Sequence, residues 1–350
     1  MSTNNRQPRD PETPQPRNLA FDPDAAAGEG SGIYGLPFTP EEAKVIVVPV
    51  PFEATTSYGG GTSGGPQAVF EASKQVDLFD HETGRPYEAG IAMLPEPREV
   101  VGWNAAAVAS ESVDEVNQFG DRLNDWVYAQ TRRWLEAGKM PVTLGGDHSV
   151  PFGAIRAYAE RFPGLGILHL DAHADLRQAY DGHTWSHASI FYNVMTKIDA
   201  VGRLVQVGVR DLGGAESRMI EQSGGRIVTF FDPDLAAQKE AGKPWASIAD
   251  HIVAHLPETV YLSWDIDGLD PTLCPSTGTP VPGGLSWNEA IGLLRAIVRA
   301  RKRIAGLDLC EVAPGDSEWD ANVGARLLYK MIGFALLTHS SSAPSGSATR

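Results

Sequence analysis

The segment GILHLDAHAD, residues 166–175, joins a short, mostly apolar run to a group of acidic residues and histidines. Its first part, residues 166–170, predicts a buried strand. Asp171, His173 and Asp175 follow directly. Because side chains alternate along an extended chain, these three can point to the same side. The segment therefore predicts a buried strand that ends in a polar site.

The same pattern occurs at two other places in the chain. The apolar run Met140–Leu144 is followed by GGDHS, which contains His148. The run Thr259–Ser263 is followed by WDIDGLDP, which places Asp265 and Asp267 two residues apart. Further apolar runs predict strands at Lys44–Val50, Leu204–Val209, Arg226–Phe230 and Arg303–Leu307.

Amphipathic stretches fill the intervals between these runs. They predict helices at Pro66–Asp80, Val116–Glu136, Val150–Arg161, His187–Lys197, Trp245–Leu256, Trp287–Arg301 and Asp320–Leu337. Apolar strands that alternate with helices are typical of a mainly parallel sheet covered on both faces. We therefore predict a three-layer α/β/α fold. Ligands of such sheets bind at the carboxyl ends of the strands, where the three polar groups lie.

The two ends of the chain differ in composition from this alternating part. Residues 1–40 contain seven prolines and four glycines and predict an extended arm, docked on the body or on a neighbouring subunit. Residues 41–339 predict a single domain, because no linker-like composition interrupts them. The Ser-rich residues 340–350 predict a flexible tail.

Charge and cysteine content exclude several classes of function. The 350 residues carry a net charge of −15, which disfavours a nucleic-acid or anionic-membrane partner. The N-terminus lacks the apolar run of a secretory signal, and no stretch approaches the roughly 18 apolar residues of a membrane span. Cys274 and Cys310 show no metal-binding or redox spacing. These features predict a cytoplasmic protein in a reducing compartment.

The acidic groups predict a metal centre. A lone pair of aspartates is usually a turn or a helix cap, but here three groups each follow an apolar strand. Four aspartates brought together carry a charge of −4, which would be very unfavourable without compensation, and two divalent cations would balance it. Mixed carboxylate and imidazole ligands suit Mn²⁺, Ni²⁺, Co²⁺ or Zn²⁺. Two such ions would generate hydroxide from water at neutral pH.

GGDHS, DAHAD and SWDIDGLDP, in this order and spacing, resemble the ureohydrolases, the family of arginases and agmatinases. The resemblance extends from about Lys44 to Leu337. It implies an arginase-like fold and two divalent ions, Ni²⁺ or Mn²⁺. It also implies that these ions are held by His148, Asp171, His173, Asp175, Asp265 and Asp267.

The resemblance also implies roles in catalysis and substrate binding. His187 corresponds to a proton-shuttling histidine, Glu311 to the carboxylate that pairs with the substrate guanidinium, and Thr279 to a threonine of the same pocket. Asp175 is the metal ligand assigned to the catalytic set, and Asp308 is expected to support the site without binding metal. Hydroxide would attack the guanidinium carbon, and the products would be urea, or a urea derivative, and ammonia or an amine.

The substrate is narrowed by residues around the motifs. Arg177 would repel the ammonium group of arginine, and no acidic residue stands at Gly213 to bind it. Trp185, beside His187, is expected to shrink the pocket. We therefore expect guanidine or a biguanide such as metformin to be preferred, with Ni²⁺ as the metal. Agmatine or a guanidino acid is the alternative.

Two other classes of protein share parts of the pattern. One is a non-catalytic partner subunit in a mixed ureohydrolase oligomer, which would be expected to lose metal ligands. The other is a zinc amide hydrolase of the deacetylase type, which lacks a counterpart of His148. The complete ligand set argues against both. The resemblance further implies a homo- or hetero-oligomer, a trimer or hexamer of related subunits.

Overall fold

The computed structural model describes residues 21–340, which form a parallel sheet enclosed by helices. Within these residues the strands, in chain order, are β1 (Val45–Val50), β2 (Ile91–Met93), β3 (Met140–Gly145), β4 (Leu165–Leu170), β5 (Val201–Val209), β6 (Ile227–Phe231), β7 (Thr259–Asp265) and β8 (Arg303–Cys310). Their order across the sheet is β2-β1-β3-β8-β7-β4-β5-β6. All the pairings are parallel.

The helices of the described residues connect consecutive strands or flank the sheet. They are α1 (Gly65–Ser73), α2 (Arg98–Val108), α3 (Val113–Glu136), α4 (Phe152–Arg161), α5 (Ile190–Lys197), α6 (Gly214–Gln222), α7 (Asp232–Glu240), α8 (Trp245–Ala254), α9 (Trp287–Arg299) and α10 (Trp319–Ser340). Between residues 21 and 340, no helix is both long and apolar enough to cross a membrane.

The two faces of the sheet are covered by different sets of helices. Alternate residues of β4 point to opposite faces: Leu168 belongs to the core shared with α8, α9 and α10, whereas Ile167 belongs to the core shared with α4 and α5. A further core packs α2 and α3 against β1. Because every residue of β4 is buried, the strand sequence is almost continuously apolar. The predicted three-layer fold is confirmed.

Helix α9 begins directly after Ser286, where the sequence carries a helix start signal. The Ser286 hydroxyl accepts a hydrogen bond from the Glu289 backbone N–H, and the Glu289 carboxylate accepts one from the Ser286 N–H. This capping box satisfies two donors that the first turn of α9 would otherwise leave unpaired.

Four elements of the structure were not predicted from the sequence, and several predicted elements have different boundaries. The omitted elements are β2, α2, α6 and α7. The edge strand β2 has only three residues, and α2 leaves Val101 and Val108 exposed, so neither has a strong apolar pattern. The predicted helix at Pro66–Asp80 ends at Ser73, and the one at His187–Lys197 begins with a 3-10 turn at His187–Ser189 and becomes α-helical at Ile190.

The second half of the predicted arm packs against the body. Tyr34 is buried, its ring lies 4.7 Å from that of Tyr329, and its hydroxyl donates to the Ala325 carbonyl. Residues 33–36 therefore contribute to the core beside α1 and α10. Residues 1–20 of the arm and 341–350 of the tail lie outside the described residues.

Candidate metal centre and substrate cavity

The site lies at the carboxyl ends of the central strands. β3, β8, β7 and β4 are neighbours in this order, so the polar groups that follow them meet at one edge. β7 extends to Asp265, and β8 extends to Cys310, directly before Glu311. The strand register thereby fixes the backbone from which the site residues project.

One group of metal-ligand atoms surrounds the ring of His148. Its Nδ1 atom lies 3.1 Å from an oxygen of Asp171. It also lies 3.5 Å from one oxygen of Asp175 and 3.5 Å from one oxygen of Asp265. These four side chains come from three different strand ends, and all are buried. They could hold one divalent ion.

A second group surrounds the ring of His173. Its Nδ1 atom lies 3.3 Å from Oδ1 of Asp171 and 3.2 Å from Oδ2 of Asp267. Asp171 therefore directs one carboxylate oxygen to each group. The structure brings all six predicted ligands together, in two donor sets that share a carboxylate.

The electrostatics of these groups fit bound divalent cations. Burial and the neighbouring charge of Asp171 raise the pKa of Asp175 well above its usual range. Burial and the charges of Asp267 and Asp171 do the same to the pKa of Asp265. Oδ2 of Asp267 accepts no hydrogen bond from the described residues. A cation would stabilise a buried carboxylate oxygen that has no donor, and two divalent ions would balance the four carboxylates.

A hydrogen-bonded chain behind the metal centre orients His148. Its Nε2 atom lies 3.0 Å from the Ser263 hydroxyl, which in turn donates to Asp308 over 3.0 Å. With Nε2 engaged in this way, Nδ1 faces the carboxylates. Asp308 reaches His148 through Ser263, as a supporting residue would, and its supporting role stays a prediction.

His169 is a supporting residue that the sequence analysis missed. Gln206 donates its side-chain N–H to the Ala174 carbonyl, so the same amide nitrogen must also donate to Nδ1 of His169. The ring proton of His169 therefore lies on Nε2, which donates to Asp171 over 2.8 Å. The available signal was its position two residues before Asp171 on the same side of β4.

Glu311 follows β8 in a conformation that turns its carboxylate toward the metal centre. Its φ angle of +63° lies in the left-handed region, which costs energy in a residue other than glycine. One oxygen accepts a hydrogen bond from the His148 backbone, and the other has no partner among the described residues. Burial and the charges of Asp265 and Asp147 raise the pKa of Glu311 well above its usual range. The side chain is therefore suited to a cationic ligand.

His187 lies between Glu311 and the open cavity. Its Nδ1 atom is 3.8 Å from a Glu311 oxygen, and its backbone N–H donates to the Thr55 hydroxyl. Nε2 has no partner among the described residues. Burial lowers the pKa of His187 below its usual value, although the carboxylate of Asp147 acts in the opposite direction. A neutral imidazole with a free nitrogen can accept a proton.

A cavity of about 290 Å³ opens above this centre. Four predicted site residues line it: His173, Asp175, His187 and Thr279. Lining residues that were not assigned to the site in advance include Ser57, Tyr58, Tyr180, Asp211 and Glu216. The cavity thus joins the metal-ligand groups to a rim that contains two more carboxylates.

Trp185 does not line this cavity, contrary to the sequence-based expectation. Its ring packs 4.8 Å from that of Phe152, and its indole N–H donates to Asp121 over 2.7 Å. It lines a separate cavity beside α3 and α4. The chain turns at His187–Ser189, so nearness in sequence to His187 does not bring Trp185 to the same space.

No acidic residue stands at Gly213, but helix α6, which follows it, brings the carboxylate of Glu216 to the cavity rim. Glu216, in the first turn of α6, accepts hydrogen bonds from the Gly213 and Leu176 backbone N–H groups. One of its oxygens lies 3.6 Å from Nε of Arg177. Arg177 is therefore held by a carboxylate at the cavity rim, which offsets the repulsion of cations that its sequence position predicts.

Comparisons with known proteins agree with this geometry. A sequence profile of the arginase family matches residues 43–333. The chain is 38% identical over 303 residues to the N(1)-aminopropylagmatine ureohydrolase of Thermus thermophilus, covering 86% of this chain and 94% of that protein. It is 32% identical over 307 residues to the agmatinase of Proteus mirabilis, covering 85% and 90%.

Solved structures give the same result. The agmatine ureohydrolase of Thermoplasma volcanium aligns with a TM-score of 0.70 at 25% identity, covering 87% of this chain and 94% of that one. The arginase of Medicago truncatula aligns with a TM-score of 0.66 at 25% identity, covering 84% and 88%. Both similarities extend over nearly the whole described part of the chain.

Proposed function

The chain belongs to the arginase family and is a hydrolase of C–N bonds in guanidino groups, and on this basis we propose that its substrate is a guanidino amine. The candidates are agmatine and an agmatine extended by an aminopropyl group, the compounds named in its relatives. The observation that supports this choice most is the cavity itself. It is lined by His173, Asp175, His187 and Thr279 and, at its rim, by the carboxylates of Asp211 and Glu216.

Glu311 is proposed to bind the guanidinium end of the substrate. Its partnerless oxygen is buried, so a planar cation that donates two N–H groups would pair with it strongly. Gly278 allows the approach, since a Cβ atom there would lie 3.2 Å from that oxygen. This pairing holds the reacting carbon in a fixed position beside the metal-ligand groups, which provides the orientation that catalysis needs.

Two divalent ions are proposed to occupy the two donor sets, one held by His148, Asp171, Asp175 and Asp265, the other by His173, Asp171 and Asp267. When bound, they would lower the pKa of water and polarise the guanidinium carbon. Mn²⁺ is the first candidate and Ni²⁺ the second, because carboxylate and imidazole ligands suit both.

His187 is proposed to move the proton. The reaction adds one water to the guanidinium carbon and breaks one C–N bond, which yields urea and an amine. The free Nε2 of His187 can accept a proton from the water and return it to the departing nitrogen. Its lowered pKa keeps the ring neutral, and therefore able to accept, at neutral pH.

The cationic tail of the substrate is proposed to lie along the acidic rim. Glu216 is buried and Asp211 is exposed, so the tail would meet one fixed carboxylate and one solvated carboxylate. Tyr58 and Tyr180 line the same cavity. The exposed ring of Tyr58 offers an aromatic face to an ammonium group, whereas the ring of Tyr180 already packs against the Arg177 guanidinium, 4.9 Å away. Free guanidine or metformin would leave this rim unused. Trp185, which was expected to close the cavity over such small substrates, lies elsewhere.

A ranking of specificity constants tests the proposal. Agmatine, its aminopropyl derivative, guanidinobutyrate, guanidine and metformin would be compared on enzyme loaded with Mn²⁺ or Ni²⁺. Guanidinobutyrate is the matched control, because it replaces the terminal ammonium by a carboxylate. We expect kcat/KM for agmatine and its aminopropyl derivative, which carry a cationic tail, to exceed kcat/KM for the other three compounds by about tenfold or more. This factor corresponds to about 1.4 kcal/mol. A lead for guanidine or metformin would instead support the small-substrate alternative.

The same experiment tests the non-catalytic alternative. The six ligands, His187 and Glu311 are all in place, so the purified chain should be active without a second type of subunit. Inactivity toward all five compounds, with two ions bound per chain, would support a partner-subunit role. The predicted trimer or hexamer would be measured on the same preparation by light scattering.

A further inference from the structure

Thr55 lies on the loop that follows β1, and its hydroxyl joins this loop to the segment that carries His187. The hydroxyl accepts a hydrogen bond from the His187 backbone N–H over 3.1 Å. It donates its own proton to Oδ2 of Asp147 over 2.9 Å. Because a hydroxyl has a single proton and an ionised carboxylate only accepts, Asp147 fixes the direction of both hydrogen bonds. The oxygen of Thr55 is therefore free to accept from His187.

Asp147 holds the Thr55 side chain in place. It is a fully buried carboxylate, directly after β3, that belongs to neither metal-ligand group. Its Oδ2 atom accepts from the N–H and the hydroxyl of Thr55, and its Oδ1 atom accepts from the N–H and the hydroxyl of Ser149. Hydrogen bonds to a charged acceptor are stronger than those between neutral groups. With both oxygens engaged, Asp147 is an anchor for the loop.

The His187 backbone needs a partner at this point of the chain. His187 begins the 3-10 turn His187–Ser189, so its N–H has no acceptor within the turn. The Ser186 hydroxyl accepts from the N–H of Ala188, the next residue, and not from that of His187. Thr55, which is 132 residues away in the chain, provides the acceptor for His187. The start of the turn is thereby fixed from the loop after β1.

No described residue forms a hydrogen bond with the His187 ring. Its Nε2 atom has no partner, and its Nδ1 atom lies 3.8 Å from an oxygen of Glu311, beyond hydrogen-bond distance. The ring still lines the substrate cavity. Its position therefore depends on the backbone from which it projects, and that backbone is held by Thr55.

We propose that Thr55 is a positioning residue for His187. The inference rests on the proton transfer assigned to His187 in the proposed function. Thr55 itself does not line the cavity, although Ser57 and Tyr58 of the same loop do. It acts by fixing the turn, and Asp147 acts by fixing Thr55. Because a displacement of about 1 Å in a reacting group can lower a rate about 100-fold, one hydroxyl at this point can affect catalysis strongly.

Steady-state kinetics on the full, metal-loaded chain test the proposal with agmatine as the substrate. Thr55→Val keeps the shape but removes the hydroxyl, and it should lower kcat about 10- to 100-fold. KM should change less, because the groups that contact the substrate remain. Thr55→Ser keeps the hydroxyl and should restore most of the activity. Thr56→Val is the matched control, since the Thr56 hydroxyl donates to the Glu53 carbonyl and not to Asp147. Loss of metal in Thr55→Val would overturn the proposal, because Thr55 would then support the metal centre.

A double-variant cycle with His187→Ala shows whether Thr55 acts through His187. Without the imidazole its position no longer matters, so Thr55→Val should lower kcat in the original chain but not in the His187→Ala background. An equal loss in both backgrounds would overturn the proposal, because Thr55 would then act on another part of the site.

Hydrogen–deuterium exchange of the peptide covering residues 183–190 detects the contact without relying on activity. Thr55→Val should remove the protection of the His187 amide, whereas Thr55→Ser and Thr56→Val should keep it. Unchanged protection in Thr55→Val would overturn the proposal. Full activity of His187→Ala would contradict the proposed proton transfer, and with it the reason for positioning this ring. A large loss in His187→Ala together with an unchanged kcat in Thr55→Val would overturn the positioning role alone.

Discussion

The floor and the mouth of the substrate cavity are built in different ways. We call the six metal-ligand residues together with Glu311 the floor, of which His173 and Asp175 line the cavity directly; the mouth comprises Tyr58, Arg177, Tyr180, Asp211 and Glu216. Asp267 and Glu311 of the floor are 1% and 3% exposed, whereas Tyr58 of the mouth is 87% exposed. The floor residues follow strands directly. The mouth residues belong to loops and to the first turn of a surface helix.

This difference separates the chemistry from the selectivity. Residues at strand ends are held by the sheet, by the Ser263–Asp308 chain and by His169, so their positions are precise enough for metal binding. Residues on loops can vary without disturbing the sheet, and they contact the part of the substrate that does not react. Changes in the floor should therefore abolish activity on every substrate, whereas changes in the mouth should alter the ranking of substrates.

The largest effect is expected from Asp267→Asn in the floor. The variant removes one charge from a buried carboxylate whose outer oxygen has no hydrogen-bond donor among the described residues. Loss of one metal would remove several kcal/mol of transition-state stabilisation, about a 10³-fold decrease in kcat or more. Metal analysis and steady-state rates would measure both effects.

Asp270→Asn is the matched control for that experiment. Asp270 lies in the same segment, but its carboxylate accepts hydrogen bonds from Thr272 and lies outside both metal-ligand groups. We expect this variant to keep two ions and most of its activity. If both variants lose metal equally, the segment is sensitive as a whole and Asp267 has no special role.

Glu311→Gln should have the next largest effect. The amide keeps the shape and can still accept from the His148 backbone, but it removes the charge that faces the guanidinium. Loss of a buried charge pair costs about 2–5 kcal/mol, a decrease of about 30-fold to several thousandfold in kcat/KM. Metal content should stay near two. Loss of metal with unchanged substrate binding would instead place Glu311 in the metal centre.

The difference between floor and mouth also explains how much of each region could be predicted from the sequence. The six ligands could be predicted because each follows an apolar run, and the register of parallel strands then brings them together. Glu216 could not, because it lies in the first turn of α6, a helix with a weak apolar pattern that was itself not predicted. The expected position of Trp185 was wrong because nearness in sequence to His187 does not mean nearness in space. The chain turns at His187–Ser189, and the indole N–H of Trp185 donates to Asp121 on α3.

His169→Phe tests the support beneath the floor. Phenylalanine fills similar space beside Phe191 but cannot donate to Asp171. Loss of such a supporting hydrogen bond typically weakens metal affinity about 10–100-fold. Titration against a competing chelator would measure this, with His251→Phe, on the surface of α8, as the control. Unchanged metal affinity would show that the His169–Asp171 hydrogen bond has no energetic role in the centre.

Glu216→Gln moves the test to the mouth, where selectivity is expected to change. Removing this charge should lower kcat/KM for agmatine about tenfold, a smaller loss than for the fully buried pair at Glu311, because the mouth is partly solvated. Guanidine, which has no tail, should be hydrolysed at nearly the same rate as before. Guanidinobutyrate should improve, because its carboxylate no longer meets that of Glu216. Equal losses on all three substrates would show that Glu216 serves only the backbone of Gly213 and Leu176.

Tyr58→Ala should have the smallest effect and is the most specific test of the mouth. The ring of Tyr58 is almost fully exposed, yet it lines the cavity, so its face is available to a cationic tail. A cation–π contact at an exposed site contributes about 0.5–1 kcal/mol, which corresponds to a two- to fivefold rise in KM for agmatine. Tyr58→Phe keeps the ring and should match the original chain, and guanidine should not distinguish the three proteins. If the phenylalanine variant behaves like the alanine variant, the hydroxyl is the important group. The ring would then have no part in recognising the tail, and selectivity at the mouth would rest on the carboxylates.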